Sequence, residues 1–496
     1  MDVRRDRSID PTAVKPAFVA PPQRQPLRCE PVADAPRPEF QPSVLPYCNC
    51  AMHGARGGFA TYRANPTFAG TEAALAVSVP AKEIRERLEP RLPALVTAYK
   101  DIHQNPELGR TEKRTAAILA NRLRTLGYQV TEGVGRYADG LQAHGVVAVL
   151  ENGPGPTLYL REDMDALPVV EETGLPYASQ VKGVMHACGH DVHTTLLMGA
   201  AEMMMELKDR WSGRLVLVGQ PSEELGAGAR AMLGDGLYER FGKPDFVLGM
   251  HVTGEMAAGM VGTRPGYVMA NVDSVNVTMR GRGGHGSRPE EGIDPIVMGS
   301  AFVMEAQTLV SRRIKTGKQA VVTVGAFNAG AVSNVIPNDA HLKLTIRSFE
   351  PDVRKALLSG VARIANGVAA GQGVPPELAP VIDHQKENSV DATYNNPELA
   401  ERILALWKRE IGEVFVSEQR MGGEDFAYYS GPKHEVPAVY LHLGATDPKV
   451  IEEAKRTGKQ VPTTHQSTFA PLPEPTLRGG ITAMVTAATA LLAKSG

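Results

Sequence analysis

Length, composition and charge limit what kind of protein this chain can be. It has 496 residues, 43% of them hydrophobic and 22% charged, and a formal net charge of −2. A chain of this size exceeds one hydrophobic core, so at least two domains are expected. The near-neutral charge gives no sign of a nucleic-acid or membrane-surface partner, no apolar stretch is long enough to span a bilayer, and four cysteines do not make a disulfide framework.

Residues 1–80 differ in composition from the rest of the chain. Proline, arginine, alanine and glutamine dominate there without helical or strand periodicity, which predicts a loosely ordered arm. This arm is either a leader without a fold or a segment that ties subunits together. Cys48, Cys50 and His53 suggest a small metal knot, but their spacing matches no strong template and chance is favoured. No secretory signal is recognised, so a soluble, cytoplasmic protein is expected.

Residues 81–269 predict the first part of a catalytic α/β domain. Apolar spacing predicts helices over Ile84–Ile102, Thr111–Leu126 and His193–Leu207. Short apolar runs predict the strands Tyr128–Thr131, Gly145–Leu150, Thr157–Arg161, Arg214–Gly219 and Phe246–His251. Alternation of helices with apolar strands is typical of a mostly parallel central sheet flanked by helices.

Residues 270–383 predict a second, smaller α+β domain inserted into the first. Its elements follow the order strand, helix, strand, strand, helix, strand, which is typical of ferredoxin-like domains. The first five are Asp273–Met279, Asp294–Ile314, Ala320–Ala326, His341–Ser348 and Pro351–Ala370, and the last strand is given no residues. Residues 384–496 then return to the catalytic domain, with elements predicted over Glu398–Ile411, Ala438–Leu443 and Leu477–Leu492.

The most informative segment is Met185–His193, which holds one thiol and three imidazoles within nine residues. Soft and borderline divalent metals prefer these side chains. Together with residues that follow predicted strands, the segment indicates a set of five ligands: Cys188, His190, Glu224, His251 and His465. Five ligands of mixed type suit two neighbouring metal ions with Cys188 as a candidate bridge.

Several other polar residues are candidates for the chemistry around such a centre. Glu223 precedes Glu224, and a turn would let one carboxylate bind metal while Glu223 acts as general base. Asp163, Asp165 and Asp191 could each hydrogen-bond a ligating imidazole. In the second domain, the glycine-flanked His285 could stabilise an oxyanion, and Asn334 and Arg347 could bind a substrate carboxylate.

The ordered set of motifs resembles the amidohydrolase branch of the aminoacylase and carboxypeptidase metallopeptidase family, which includes hippurate hydrolases and auxin–amino acid conjugate hydrolases. The resemblance covers about residues 82–496. It is carried by the segments His103–Leu108, Asp163–Pro168, Met185–His193, Gln220–Glu224, Gly249–Val252, Gly283–Pro289, Asn334–Pro337 and Gly423–Phe426.

The resemblance implies metal-dependent hydrolysis of the amide bond of N-acyl or N-aroyl amino acids. It assigns the five metal-ligand places, the general base at Glu223 and an oxyanion-stabilising imidazole at His285, which in many relatives comes from the partner subunit. It also implies two divalent ions per subunit, zinc or manganese, and a homo-oligomer formed through a lid domain. Alternatives are a dipeptidase or carboxypeptidase of the same family, and a metal-binding scaffold without activity.

Overall fold

The computed structural model describes residue 75 and residues 77–494. Most of the predicted arm therefore lies outside the described residues, as do Cys48, Cys50 and His53. Within the described part, no helix is both long and apolar enough to cross a membrane.

The strands and helices follow the predicted order with adjusted ends. The strands are β1 Gln129–Arg136, β2 Gln142–Asn152, β3 Thr157–Asp163, β4 Gly213–Gln220, β5 Phe246–Ala257, β6 Val261–Thr263, β7 Gly266–Met269, β8 Asn271–Arg280, β9 Gly284–His285, β10 Ala320–Ala329, β11 Val335–Ile336, β12 Asp339–Ser348, β13 Val381–Val390, β14 Thr393–Asn395, β15 Val414–Val416 and β16 Ala438–Thr446. The α-helices are α1 Ala81–Leu88, α2 Leu92–Gln104, α3 Lys113–Thr125, α4 His190–Glu206, α5 Gly228–Gly234, α6 Leu237–Phe241, α7 Pro295–Thr308, α8 Pro351–Gly371, α9 Pro397–Glu410, α10 Pro448–Thr457 and α11 Pro473–Leu491.

An eight-stranded sheet forms the centre of the fold, in the order β1-β2-β4-β3-β5-β16-β6-β15. The neighbours β4–β3, β3–β5, β5–β16 and β6–β15 are parallel, whereas β1–β2, β2–β4 and β16–β6 are antiparallel. The predicted α/β fold with a mostly parallel sheet is confirmed, although the sheet is mixed. The connection from β1 to β2 is too short for the crossover that a parallel pair requires.

Hydrophobic residues cover both faces of this sheet. Helices α2, α3, α4 and α11 pack with one face in a large apolar cluster that includes Leu160, Leu196 and Ile481. A second cluster on strands β2, β3 and β4 includes Tyr159 and Val216 and packs against α5 and α6. Burial on both faces explains why these strands read as nearly continuous apolar runs.

A four-stranded antiparallel sheet, β10-β12-β8-β13, carries its own apolar cluster with α7 and α8. The chain passes through it in the predicted order of strand, helix, strand, strand, helix, strand. Strand β13 pairs with β8 and runs to Val390, so this sheet extends past residue 383, where the sequence placed its end. The sequence Val381–Val390 is largely polar, and for this reason its apolar pattern did not mark it as a strand.

Two predicted helices have different bounds for clear physical reasons. The helix predicted over Ile84–Ile102 is divided by a 3₁₀ turn at Glu89–Arg91, where proline removes a backbone donor. The helix predicted from His193 begins three residues earlier at His190, since Gly189 has a φ of 87° and precedes the first turn. A side chain at Gly189 would also meet Val252 at 2.4 Å. This earlier start places His190 at the helix N-terminus.

Candidate metal centre

The five predicted metal ligands converge at the end of the central sheet. Cys188 and His190 flank the start of α4, and His251 lies within β5. Glu224 follows β4, and His465 lies in the loop before α11 with a left-handed φ of 69°. The backbone N–H of His465 donates to the carbonyl of residue 187 at 2.7 Å, which ties this loop to the Cys188 segment.

The thiol of Cys188 stands between the other ligand atoms. Its Sγ lies 3.3 Å from Nε2 of His251 and 3.2 Å from Nε2 of His465. Oε1 of Glu224 lies 3.4 Å from Nε2 of His465 and 3.9 Å from Nε2 of His190. Ligand atoms therefore gather in two groups that share Cys188: one with His190 and His251, and one with Glu224 and His465. This arrangement suits two metal positions with a shared thiolate.

The donor atoms themselves fit a cation. Nε2 of His190 and Oε1 of Glu224 are buried without a hydrogen-bond partner, which costs about 1–3 kcal/mol per group unless something else binds them. Burial, followed by the nearby Glu224 and Glu223 carboxylates, raises the pKa of the Cys188 thiol well above its usual value. A thiolate at this position therefore requires a compensating positive charge, which a bound divalent ion supplies.

Carboxylates position the imidazoles around this centre. Nδ1 of His193 donates to Asp163 at 2.6 Å, while Nε2 of His193 accepts the backbone N–H of Val252 at 2.9 Å, next to His251. Nδ1 of His251 donates to the carbonyl of Val252 at 2.6 Å, which leaves its Nε2 lone pair facing Cys188. The hydrogen bonds therefore select the ring nitrogen that points to the metal position.

The other two predicted aspartates behave differently from each other. Oδ1 of Asp165 lies 3.3 Å from Nδ1 of the predicted ligand His190. Asp191 instead contacts Nδ1 of His103 at 2.6 Å, and His103 is not a predicted ligand. Burial lowers the pKa of His190, but Asp163 and Asp165 outweigh this effect and raise the pKa to about 10. Metal binding to His190 must therefore displace a firmly held proton.

The expected turn at the glutamate pair is present. The backbone N–H groups of Glu223 and Glu224 each donate to the carboxylate of Asp165 at 3.0 Å. Ser222, just before the pair, has a left-handed φ of 55°, and its N–H donates to Glu112 at 2.7 Å. Asp165 and Glu112 thus hold the turn that directs both carboxylates into one site.

Glu223 lies among other buried acidic groups. Its carboxylate belongs to one cluster with Glu424 and Asp425. Burial, then the charges of Glu424 and Glu224, raises its pKa well above the ordinary value. Arg161, itself buried, pairs with Asp163 at 2.8 Å, Asp425 at 2.9 Å and Glu424 at 3.1 Å. The guanidinium thus holds the acidic groups together and partly offsets their repulsion.

The sequence reasoning assigned no role to Arg161, His193 or Glu424. Arg161 ends an apolar strand, where a charged residue implies a buried partner. His193 follows His190 by three residues on one face of α4, a spacing that brings their rings within 5.2 Å. For Glu424, the only sequence signal was its place in the motif Gly423–Phe426. The sequence thus marked these residues as unusual. It did not show which side chains they contact, because contacts such as that of Arg161 with Glu424 join distant segments of the chain.

A cleft of about 760 Å³ opens over the centre. It is lined by Cys188, Glu223 and His465, and by Arg347 from β12 of the four-stranded sheet. Arg347 donates to the carbonyl of Met421 at 2.6 Å and to the hydroxyl of Thr345 at 3.4 Å, and it has no carboxylate partner within 4.0 Å among the described residues. Burial lowers its pKa from the usual value. An unpaired guanidinium thus faces the same cleft as the ligand set.

His285 and Asn334 do not line this cleft. Both are exposed and lie beside each other, because β9 pairs with β11 and the N–H of Gly286 donates to the carbonyl of Asn334 at 2.8 Å. Nδ1 of His285 accepts the backbone N–H of Ser287 at 3.1 Å. Within one chain, these two candidates are therefore not brought together with the metal ligands.

The α/β fold with clustered thiol, imidazole and carboxylate groups defines a class of hydrolases with a metal centre at a sheet edge. Residues 159–456 match the model of peptidase family M20/M25/M40. Hippurate hydrolase of Campylobacter jejuni is 38% identical over 352 residues, covering 69% of this chain and 88% of that protein. Thermostable carboxypeptidase 2 of Saccharolobus solfataricus is 35% identical over 357 residues, covering 72% and 86%.

Solved structures agree with this match. A protein from methicillin-resistant Staphylococcus aureus aligns with a TM-score of 0.73 and 32% identity, covering 83% of this chain and 100% of its own. The Bacillus subtilis YXEP protein, described as a dinuclear metal binding peptidase of the M20 family, aligns with a TM-score of 0.65 and 26% identity, covering 83% and 99%. The chain belongs to peptidase family M20/M25/M40, and the prediction of a metal-dependent amidohydrolase is confirmed.

Proposed function

We propose that the protein hydrolyses the amide bond of N-acyl or N-aroyl amino acids. The observation that carries the proposal is the unpaired Arg347 in the cleft that also holds Glu223 and the ligand set. An N-acyl amino acid places a free carboxylate close to its amide bond. Arg347 would bind this carboxylate and so position the amide carbonyl over the metal centre.

Two divalent ions, zinc or manganese, would be held in this site. The residues that would hold them are Cys188, His190, Glu224, His251 and His465. When bound, the ions supply Lewis-acid polarisation of the amide carbonyl and lower the pKa of water. The unpartnered donor atoms of His190 and Glu224 support this assignment.

Glu223 would act as the general base and then the general acid. Its raised pKa, caused by burial among Glu424 and Glu224, suits a carboxylate that takes a proton from the attacking water and returns it to the leaving amine nitrogen. Asp165 would hold Glu223 in position through the backbone N–H at 3.0 Å.

His285 and Asn334 would serve a neighbouring subunit's cleft. Both are exposed and adjacent, and neither lines the cleft of its own chain. A homo-oligomer formed through the four-stranded sheet, acting as a lid domain, would bring His285 to the developing oxyanion of the partner site. The substrate would then be closed off between two chains.

A dipeptidase or carboxypeptidase activity is the second candidate, because Arg347 can equally bind the C-terminal carboxylate of a peptide. The relatives include proteins named as carboxypeptidases. A scaffold without activity is disfavoured, since a buried Glu223 beside like charges is costly to retain unless it is used.

A hydrolysis screen tests the proposal. Metal-reconstituted protein is assayed with hippurate, N-acetyl amino acids and dipeptides. Each compound is compared with its C-terminal amide, which lacks the negative charge of the carboxylate. We expect N-acyl or N-aroyl amino acids to be cleaved and their amides to be poor substrates. In Arg347→Gln the preference for the free acid should shrink mainly through KM. Faster cleavage of dipeptides would favour the second candidate, and no turnover of any acid would refute both.

A further inference from the structure

A second cavity lies next to the metal cleft and shares no lining residue with it. Its volume is about 750 Å³, close to the 760 Å³ of the cleft. Neighbouring residues of the chain line different spaces. Val272 and Val390 line the metal cleft, whereas the adjacent Asn271 and Asp391 line the second cavity. These residues lie where the chain enters and leaves the four-stranded sheet, and we name the space the junction cavity.

The charges that line the junction cavity are unbalanced. Three lining residues are cationic, Arg230, Arg354 and Lys355, and one is a carboxylate, Asp391. Arg354 is neutralised by Asp391 at 2.6 Å and by Asp273 at 2.8 Å.

The other two cations have no carboxylate partner among the described residues. Lys355 forms no ion pair there. The guanidinium of Arg230 donates to the backbone carbonyls of Lys386 at 3.3 Å and Glu387 at 3.1 Å, and also to the carbonyl of Ser389 and the hydroxyl of Tyr428. The three cations and the two carboxylates that pair with Arg354 leave one net positive charge at the cavity, and the ammonium group of Lys355 remains free to bind an anion.

Aromatic rings form the apolar part of the wall. Tyr267, Phe349 and Tyr428 all line the cavity, and the Tyr267 and Phe349 ring centres are 6.3 Å apart. The guanidinium of Arg230 lies 4.5 Å from the ring centre of Tyr428, so one cation sits directly beside an aromatic face. A flat apolar group with one negative charge matches this combination of surfaces.

We propose that the junction cavity is a second ligand site that binds a small aromatic carboxylate. The carboxylate lies between Lys355 and Arg230, and the ring packs against Tyr267 and Phe349. This site goes beyond the proposed function, because binding there requires neither metal nor turnover.

Calorimetric titration of the full-length, metal-free protein with benzoate tests the proposal. The variant Lys355→Glu should weaken benzoate binding about tenfold or more, since a charge-assisted contact becomes a repulsion. The matched control is Arg363→Glu, which makes the same charge reversal on the same helix α8 at an exposed residue outside the cavity. Its dissociation constant should equal that of the wild type.

A filling variant tests the cavity itself without changing any charge. Ser359 lies on α8, lines the cavity and is exposed, so Ser359→Phe should occupy the space and weaken binding about tenfold or more. Arg347→Gln protein, which lacks the guanidinium of the metal cleft, gives a further check: benzyl alcohol, the same ring without the charge, should bind to it about tenfold more weakly than benzoate.

Four results would overturn the proposal. They are the absence of wild-type benzoate binding at about 1 mM, equal weakening by Lys355→Glu and Arg363→Glu, unchanged binding in Ser359→Phe, and equal affinity for benzyl alcohol. None of these results depends on hydrolysis, so a failed substrate screen and a failed ligand site are distinguishable.

Discussion

Replacement of Glu223 by glutamine separates a catalytic role from a structural one. Glutamine keeps the shape of the side chain, which is 9% exposed, and the backbone N–H of residue 223 can still donate to Asp165. The variant loses only the ability to take and return a proton. General acid–base catalysis contributes about 10² or more to a rate, so kcat should fall at least ~10²-fold, which is about 2.7 kcal/mol of barrier.

The same variant should not lose stability. Burial and the charges of Glu424 and Glu224 raise the folded-state pKa of Glu223 above 4.5. The metal-free wild type therefore loses stability as the pH rises from about 4.5 toward that raised pKa, because the unfolded chain releases its proton first. Glu223→Gln removes this loss, so its Tm relative to metal-free wild type should rise as the pH increases above 4.5.

The assays are steady-state hydrolysis of the best N-acyl amino acid, metal analysis, and thermal unfolding at several pH values. The matched control is Glu255→Gln, a glutamate that lines the same cleft and pairs with Arg420 at 2.6 Å. It should keep most of the activity. Near-native turnover in Glu223→Gln would refute the base assignment, and a lower Tm with lost metal would show that Glu223 is structural.

Further predictions concern the metal, the second sheet and the arm. Cys188→Ala should lower metal occupancy after dialysis, since no other thiol lies near it in the part of the chain that the structure describes; full occupancy with full activity would contradict this. Because the pKa of His190 is raised to about 10, metal affinity should increase with pH up to that value, which a competition titration with a chelator measures. His285→Ala should lower kcat by roughly 10²–10³ with unchanged metal content, and mixing it with Glu223→Gln should restore activity if subunits exchange and the histidine acts on the partner's site. Deletion of residues 1–74, which ends before the buried Leu75, should preserve catalysis, as the composition of the deleted segment argues against a part in the core; an insoluble or inactive product would contradict this.

Local sequence patterns determined most elements and many of the residues that meet in the cleft. Apolar runs predicted the strands β3, β4 and β5, because strands buried on both faces leave a continuous hydrophobic signal. The dense motif at Met185–His193 predicted the metal chemistry, since thiol and imidazole groups rarely cluster by chance. The family followed from the order of such motifs along the chain.

Only the tertiary structure decided how distant segments combine. Arg161 pairs with Glu424 and Asp425 across more than 260 positions of sequence, and no local pattern encodes such a contact. Strand β13 is mostly polar, so its pairing with β8 became visible only in the sheet. Likewise, Arg347 lines the metal cleft while His285 and Asn334 do not, because the placement of one sheet against another depends on packing between elements rather than on the residues within them.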